Sequence, residues 1–364
     1  MQVTIIGLPG SGKTTVFNAL TGVGAETGGY SGGRAAPNIG VVKVPDERLE
    51  RLSELFKPKK TTPADVTYVD VALPAGAARE GTIQADVLAQ IRNADALLHV
   101  ARAFADPAQA AAPDPWRDVE ELDLEFAVAD LSVIEKRLEK LRTSGRHGSP
   151  AEREQNALEE ELLARLEEHL TGGASLRSFP LTDDEEHRLR GYRFLTQKPV
   201  LVVVNIGEER LPEADQLASA GTAQYGQPQS DVVALSGRIE AEMAQLSDED
   251  AALFLEDLGI PEASRGRVIR LTYALLGLFS FFTAGEDECR AWTLRRGATA
   301  VDAADAIHSD LARGFIRAEV VRYEDLMSCG SMAEARKRGL LRQEGKVYEV
   351  QDGDVIQVLF NVSR

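Results

Sequence analysis

Cysteine and long apolar runs are scarce in this chain, and each shortage excludes a class of protein. Two of the 364 residues are cysteines, and Cys289 and Cys329 stand too far apart for a CxxC metal site, so neither a disulfide framework nor a structural zinc is expected. No run approaches the roughly 18 apolar residues that a membrane-spanning helix needs. The N-terminus lacks the basic stretch of a signal peptide. The sequence therefore predicts a cytoplasmic protein with no membrane partner.

Positive charge is also in short supply. The chain has 58 acidic and 41 basic residues and a formal net charge of −17, which argues against DNA binding and against broad affinity for nucleic acid. Two local clusters leave open either a basic binding face or an ordinary solvated surface. The clusters are Lys57, Lys59 and Lys60, and Arg336, Lys337, Arg338, Arg342 and Lys346.

What the sequence does contain is clearest at its N-terminus. Residues 1–6 have an apolar strand pattern, residues 7–14 read Gly-Leu-Pro-Gly-Ser-Gly-Lys-Thr, and a helical pattern follows. Glycines at this spacing let backbone N–H groups surround phosphate oxygens, and the start of the next helix adds a positive dipole. Lys13 is expected to stabilise the charge of the β- and γ-phosphates, and Thr14 to place its hydroxyl on Mg²⁺. The segment predicts a nucleoside triphosphate site on Gly10, Ser11, Gly12, Lys13, Thr14 and Thr15.

The length and the order of patterns predict more than one domain. Strand and helix patterns alternate over residues 1–100 and return at 199–205 and 231–235, which is typical of an α/β fold with a mostly parallel sheet and helices on both faces. Between them, two amphipathic helical patterns flank a short break at 143–150, which favours an inserted antiparallel hairpin. The apolar stripe of the first helix is interpreted as packing against the second. Its members are Leu124, Val128, Leu131, Leu138 and Leu141.

Two later strand ends complete the predicted site. Asp70 ends an apolar strand and is expected to face Mg²⁺. Asn205-Ile206-Gly207-Glu208 follows another buried strand, at the place where GTPases of this architecture carry Asn-Lys-x-Asp for guanine. Because isoleucine replaces the lysine and glutamate the aspartate, adenine is the predicted base. The predicted base site consists of Asn205, Ile206, Glu208, Ser236 and Gly237.

These motifs resemble the YchF or Obg-like ATPases, a family of P-loop nucleoside triphosphatases, over nearly the whole chain. The matching segments are residues 7–15, 37–46, 91–96, 129–131, 135–138, 205–208, 281–286, 290–293, 307–310, 313–320, 345–346 and 350–356.

The resemblance implies an ATPase domain at 1–115 and 196–278, an inserted helical coiled-coil arm at 116–195, and a C-terminal TGS-like β-grasp domain at 279–364. It also implies a preference for ATP over GTP, slow hydrolysis, and Mg²⁺ as the metal. The ribosome is the implied partner, and ribosomal RNA is a candidate contact of the TGS-like and coiled-coil domains.

The chain departs from the family pattern at two places that normally respond to the γ-phosphate. Arg34 stands where the family has the metal-binding threonine of switch I, and the stretch Asp70-Val71-Ala72-Leu73 lacks the glycine of Asp-x-x-Gly. Three functions stay open at this point: a slow ATPase, a GTPase, and a ribosome- or RNA-binding scaffold that is merely stabilised by nucleotide. Glu208 and Ile206 argue against the GTPase, whereas Arg34 and the lost glycine argue for the scaffold.

Overall fold

The structure is a computed structural model that describes residues 1–26, 37–71, 83–107, 111–144, 149–258, 260 and 263–361. Arg34 and Leu73, which mark the two departures from the family pattern, lie outside the described residues. Among the described helices, none combines the length and the apolar character that a membrane crossing requires.

The described strands form two sheets of six strands each. In chain order the strands are β1 (Gln2–Ile6), β2 (Asn38–Lys43), β3 (Lys60–Thr62), β4 (Asp65–Asp70), β5 (Ala96–Ala103), β6 (Val200–Ile206), β7 (Ser230–Leu235), β8 (Leu278–Ala284), β9 (Glu288–Arg295), β10 (Phe315–Arg322), β11 (Arg342–Glu344) and β12 (Asp354–Phe360).

The helices follow clear local signals. Ser149 and Glu152 cap each other's backbone at the start of the fifth helix, and Thr299 and Asp302 do the same at the eleventh. The helices are α1 (Lys13–Thr21), α2 (Glu47–Phe56), α3 (Ala85–Arg92), α4 (Pro115–Ser144), α5 (Pro150–Thr171), α6 (Asp183–Leu189), α7 (Ala214–Tyr225), α8 (Gly237–Met243), α9 (Asp248–Leu258), α10 (Ser264–Leu275), α11 (Ala300–Ile307), α12 (Ser309–Arg313), α13 (Tyr323–Cys329) and α14 (Met332–Lys337).

The first sheet has the order β2-β4-β1-β5-β6-β7, and β1 pairs in parallel with both β4 and β5. The pairs β5–β6 and β6–β7 are parallel as well. Every residue of β5 and β6 is buried, as expected for central strands of a parallel sheet. The predicted α/β class with a mostly parallel sheet is confirmed. In such sheets ligands bind at the carboxyl ends of the strands, which is where the loop after β1, Asp70 and Asn205 lie.

By the packing of its Cα atoms the described chain divides into two compact units, residues 1–40 with 67–265 and residues 41–66 with 266–364. The second unit contains β3, which pairs with β9, and α2, whose Arg48 is 2.9 Å from Asp352 and stacks over Phe282. No pattern in the sequence indicates that residues 41–66 belong to this unit. The three-domain boundaries predicted from the family resemblance stay a prediction.

The helices α4 and α5 form the expected hairpin, with ion pairs from Arg137 to Glu159 and from Arg142 to Glu160. The predicted stripe was wrong in its first part, because Leu124 is 66% exposed and Val128 is 51% exposed. This half of α4 instead buries Val119, Leu122 and Phe126 in the core of the parallel sheet. A helix of 3.6 residues per turn that points these three inward turns the other two outward. Leu138 and Leu141 are buried as predicted.

In the second unit the antiparallel pairs β8–β9 and β10–β12 meet through a parallel contact between β8 and β12. Helix α11 contributes Ala300, Ala303 and Ala304 to their core, as expected for a β-grasp fold. The sequence pattern predicts helices over residues 265–279 and 300–311, and both predictions are too long. Helix α10 stops at Leu275, since Gly277 in the left-handed region (φ 65°) separates it from β8. Helix α11 stops at Ile307, because the backbone of His308 is extended.

Candidate nucleotide site

The loop between β1 and α1 depends on three glycines with positive φ, which are Gly7, Gly10 and Gly12. A Cβ on Gly7 would lie 2.3 Å from the carbonyl oxygen of Val100, and one on Gly12 would lie 2.3 Å from Nδ2 of Asn205. Side chains are therefore excluded by contacts as well as by backbone conformation. Gly10 lies at the exposed tip, Ser11 is buried, and Gly12 precedes α1. The loop has the close-packed form that phosphate-binding turns require.

Lys13 begins α1 and lies under this loop, 9% exposed. Its ammonium donates to the carbonyl oxygens of Gly7 at 2.8 Å and Leu8 at 3.1 Å. Burial lowers the pKa of Lys13 to about 8, against the opposing attraction of Asp70. The ammonium of Lys13 is desolvated and lies beside the backbone turn. A phosphate bound at the turn would raise its pKa again, because the negative charge favours the charged form.

Thr14 and Asp70, the two predicted metal residues, are in direct contact. The Thr14 hydroxyl donates to Oδ2 of Asp70 at 2.9 Å, and Asp70 ends β4 directly beside Ile5 of β1. Asp70 is 5% exposed, and its other oxygen, Oδ1, has no hydrogen-bond partner among the described residues. A buried carboxylate oxygen without a donor is costly, so this atom is suited to accept from a water held by a cation. Thr15, the next residue of α1, is half-buried.

Asn205 connects two loops of the predicted site. Its Nδ2 donates to the carbonyl oxygen of Ser11 at 2.9 Å, and its Oδ1 accepts from the backbone N–H of Gly237 at 2.9 Å. Asn205 is 4% exposed, and Ser236, which precedes α8, is 2% exposed. Asn205 therefore acts as a clamp that sets the phosphate loop against the loop after β7.

The remaining two base residues lie differently. Glu208 starts the turn after β6 with its side chain 48% exposed, and Nε of Arg238 is 3.2 Å from its Oε1. Ile206 is 2% exposed and belongs to the hydrophobic core of the parallel sheet. The structure thus leaves Glu208 open to a ligand but does not bring the side chain of Ile206 to the surface.

Two residues near the site were missed by the sequence reasoning. The ring of Phe104 lies 3.8 Å from the point that a Cβ on Gly12 would occupy, beside Asn205. The side chain of Asn38 donates to Asp70 at 3.3 Å. Neither belongs to a spacing that predicts a ligand, although Phe104 directly follows a buried strand whose carboxyl end faces the site.

Comparison with known proteins agrees with this geometry. A family model described as 50S ribosome-binding GTPase matches residues 2–137, and the YchF-GTPase_C model, described as a protein of unknown function, matches residues 278–361. A protein of Bacillus subtilis named ribosome-binding ATPase YchF is 40% identical over 98% of each chain. A protein of Haemophilus ducreyi with the same name is 41% identical over 98% of each chain.

The chain belongs to the YchF family. A solved structure described as the Schizosaccharomyces pombe YchF GTPase is 28% identical and superimposes with a TM-score of 0.84, covering 99% of this chain and 97% of the other. The parallel-sheet nucleotide-binding domain and the C-terminal domain predicted from the family resemblance are therefore confirmed. The relatives differ in the nucleotide that their names imply, since the bacterial proteins are called ATPases and the yeast protein a GTPase.

Proposed function

We propose that the chain is an ATP-binding YchF ATPase that holds Mg²⁺-ATP on the loop after β1, hydrolyses it slowly and associates with the ribosome. The observation that carries this proposal is the joint placement of Lys13, Thr14 and Asp70, with Asn205 clamping the loop from the neighbouring strand. Two bacterial relatives at 40% and 41% identity are named ribosome-binding ATPases, which supports the choice of substrate and partner.

The residues present suit a divalent cation shared with the nucleotide. Thr14 offers a hydroxyl oxygen and Asp70 a carboxylate with an unpartnered buried oxygen. The described residues hold no cluster of three His, Cys, Asp or Glu side chains, so a cation here needs further oxygens from phosphates and water, as Mg²⁺ sites commonly do. Mg²⁺ bound there would neutralise charge on the phosphates. The fold orients Thr14 and Asp70 toward the cation and places the Lys13 ammonium where it can interact with the phosphates.

Glu208 is the residue we propose to favour adenine, since its carboxylate is open to solvent beside Arg238. ATP should bind more tightly than GTP by at least about tenfold, or 1.4 kcal/mol, and Glu208→Asp should narrow this ratio. Competition calorimetry with the two nucleotides measures it, and Glu209→Asp, the same change at the next exposed position, is the control. Adding Ile206→Lys to imitate a GTPase is uninformative, because it would place an ammonium in the core.

The competition also separates the ATPase from the GTPase. Equal affinities would contradict the role given to Glu208, and tighter binding of GTP would favour the GTPase. Failure of both nucleotides to bind would overturn the proposal and would also exclude the scaffold that is stabilised by nucleotide.

Slow hydrolysis is proposed because the described site offers no group that is placed to activate water. His99, the histidine of β5, is 1% exposed. Burial lowers its pKa to about 3, with smaller contributions from the positive charges of Lys13 and Arg177. His99 is therefore neutral and enclosed. Rate acceleration would rest on electrostatic stabilisation by Lys13 and the cation, and we propose a turnover well below the roughly 10 s⁻¹ median of enzymes.

We propose the ribosome as partner, with a cytoplasmic location, on the strength of the relatives' names. The two basic clusters give little support to direct contact with ribosomal RNA. Arg336, Arg338 and Arg342 lie 2.7 to 3.3 Å from Glu319, Glu334 and Glu344. Lys59 and Lys60 lie 2.7 Å from Asp287 and 3.3 Å from Glu288. Carboxylates paired with the cations weaken their attraction for phosphate.

ATP binding should take up a proton at alkaline pH. The pKa of Lys13 in the free protein is lowered to about 8, mainly by burial, and phosphates favour its charged form, so the pKa should rise on binding. Affinity should be at its full value below pH 8 and fall above it, by up to tenfold per pH unit. Calorimetry at pH 9 in two buffers of different ionisation enthalpy should show uptake of nearly one proton. The same uptake should persist in Lys198→Ala, which removes another lysine with a pKa of about 8. No uptake at pH 9 would contradict the placement of phosphate on Lys13.

A further inference from the structure

Two side chains from different parts of the fold donate to the same oxygen of Asp70. Thr14, from the phosphate loop and α1, donates to Oδ2 at 2.9 Å. Asn38, the first residue of β2, donates its Nδ2 to that oxygen at 3.3 Å. The other oxygen, Oδ1, is buried and has no hydrogen-bond partner among the described residues. The two bonds leave one carboxylate oxygen occupied and the other available.

The two donors differ in what they can do when a cation arrives. Thr14 lies on the loop that would hold the phosphates, and its hydroxyl oxygen can bind a metal. This oxygen is therefore expected to coordinate the cation when it arrives. Asn38 comes from another strand and offers an uncharged amide N–H, which adds no charge beside the carboxylate. Its bond can persist in the loaded site and stop the carboxylate from rotating, which keeps Oδ1 directed away from both donors.

We propose that Asn38 is a positioning residue for the divalent cation, because it fixes the Asp70 carboxylate so that Oδ1 can accept from a metal-bound water. This inference rests on the proposed function, since it needs a nucleotide and a cation at the site. Removing a partner that orients a metal-binding group typically lowers metal affinity about 10- to 100-fold. Asn38 should therefore govern how strongly Mg²⁺ and nucleotide reinforce each other's binding.

The experiment measures this reinforcement as a coupling factor. The dissociation constant of a non-hydrolysable ATP analogue is determined by calorimetry in EDTA and in saturating Mg²⁺, and the ratio of the two is the coupling. Asn38→Ala removes the amide, and Asn38→Leu removes it while keeping the size of the side chain. Asn18→Ala is the matched control, because Asn18 is another half-buried asparagine of the same unit whose amide bonds only the backbone of Ala25 in the described residues. Thermal unfolding of each variant is recorded alongside.

Both Asn38 variants should lower the coupling factor by at least about tenfold and leave the affinity in EDTA within twofold of the unmodified chain. Asn18→Ala should leave the coupling unchanged even where it lowers the melting temperature. Unchanged coupling in the Asn38 variants would overturn the inference, and so would an equal loss in Asn18→Ala, which would mark a general effect of destabilisation. If the unmodified chain bound no ATP analogue at all, the proposed function would fail. If Mg²⁺ did not strengthen binding of the analogue to the unmodified chain, only the role given to Asn38 would be contradicted.

Discussion

Lys13→Ala should lower the affinity for ATP by at least about a hundredfold, or 2.8 kcal/mol. The side chain is 9% exposed, and its ammonium is held 2.8 Å from the carbonyl oxygen of Gly7, so it is already desolvated and aimed at the loop before any phosphate arrives. A charged group placed in this way interacts with phosphate much more strongly than a solvated one. Calorimetric titration with a non-hydrolysable ATP analogue measures the loss.

The chain supplies a close control for this substitution. Lys198 is also 9% exposed, burial lowers its pKa to about 8 as well, and its ammonium donates to the carbonyl oxygen of Ala94 at 2.6 Å. It lies two residues before β6 and therefore at the opposite end of that strand from Asn205. Lys198→Ala should cost stability and keep ATP affinity within threefold. Equal losses in the two variants would mean that Lys13 acts through folding alone.

Asn205→Asp should be the second most damaging change, although it preserves the shape of the side chain. Nδ2 of Asn205 donates to the carbonyl oxygen of Ser11, and an aspartate would place an oxygen against that oxygen in a buried site. The lost bond and the buried charge should lower the free energy of unfolding by about 3 kcal/mol. Affinity for ATP should fall by at least about tenfold, since the phosphate loop loses its clamp.

Asn93→Asp is the control for the same substitution at an exposed position, because Oδ1 of Asn93 already accepts from Arg193 and a carboxylate keeps that bond. Urea unfolding and nucleotide titration of both variants give the comparison. If Asn205→Asp unfolded like the unmodified chain and bound ATP normally, the clamp would have no energetic role.

The sequence was sufficient to predict the parts of the fold that are specified locally. The phosphate loop, α1 and β6 follow from glycine spacing and unbroken apolar runs, and these signals do not depend on distant residues. The exposure of Leu124 and Val128 was not predictable in the same way. Their spacing suits a buried stripe, but α4 has two apolar sides over its first half, and the parallel sheet takes the side with Phe126.

The same limit applies to the candidate site. Gly12, Lys13, Thr14 and Asp70 carry their chemistry in a recognisable spacing, and the structure brings the last two into contact. Phe104 belongs to no such spacing, and Asn38, although it lies in the family-matching segment 37–46, belongs to no spacing that predicts a ligand. Only the folding of β2 and β5 places both near the loop. Ile206 shows the reverse error, because its position in the motif suggested a contact with the base while its side chain points into the core.

The central claim is that the loop after β1 holds the triphosphate while Thr14 and Asp70 hold the cation. A crystal structure of the chain with a non-hydrolysable ATP analogue and Mg²⁺ tests it most directly. We expect the ammonium of Lys13 within hydrogen-bond distance of phosphate oxygens, the Thr14 hydroxyl on the metal, and Oδ1 of Asp70 accepting from a metal-bound water. A nucleotide bound elsewhere, or phosphates on the loop with no metal at Thr14, would contradict the account.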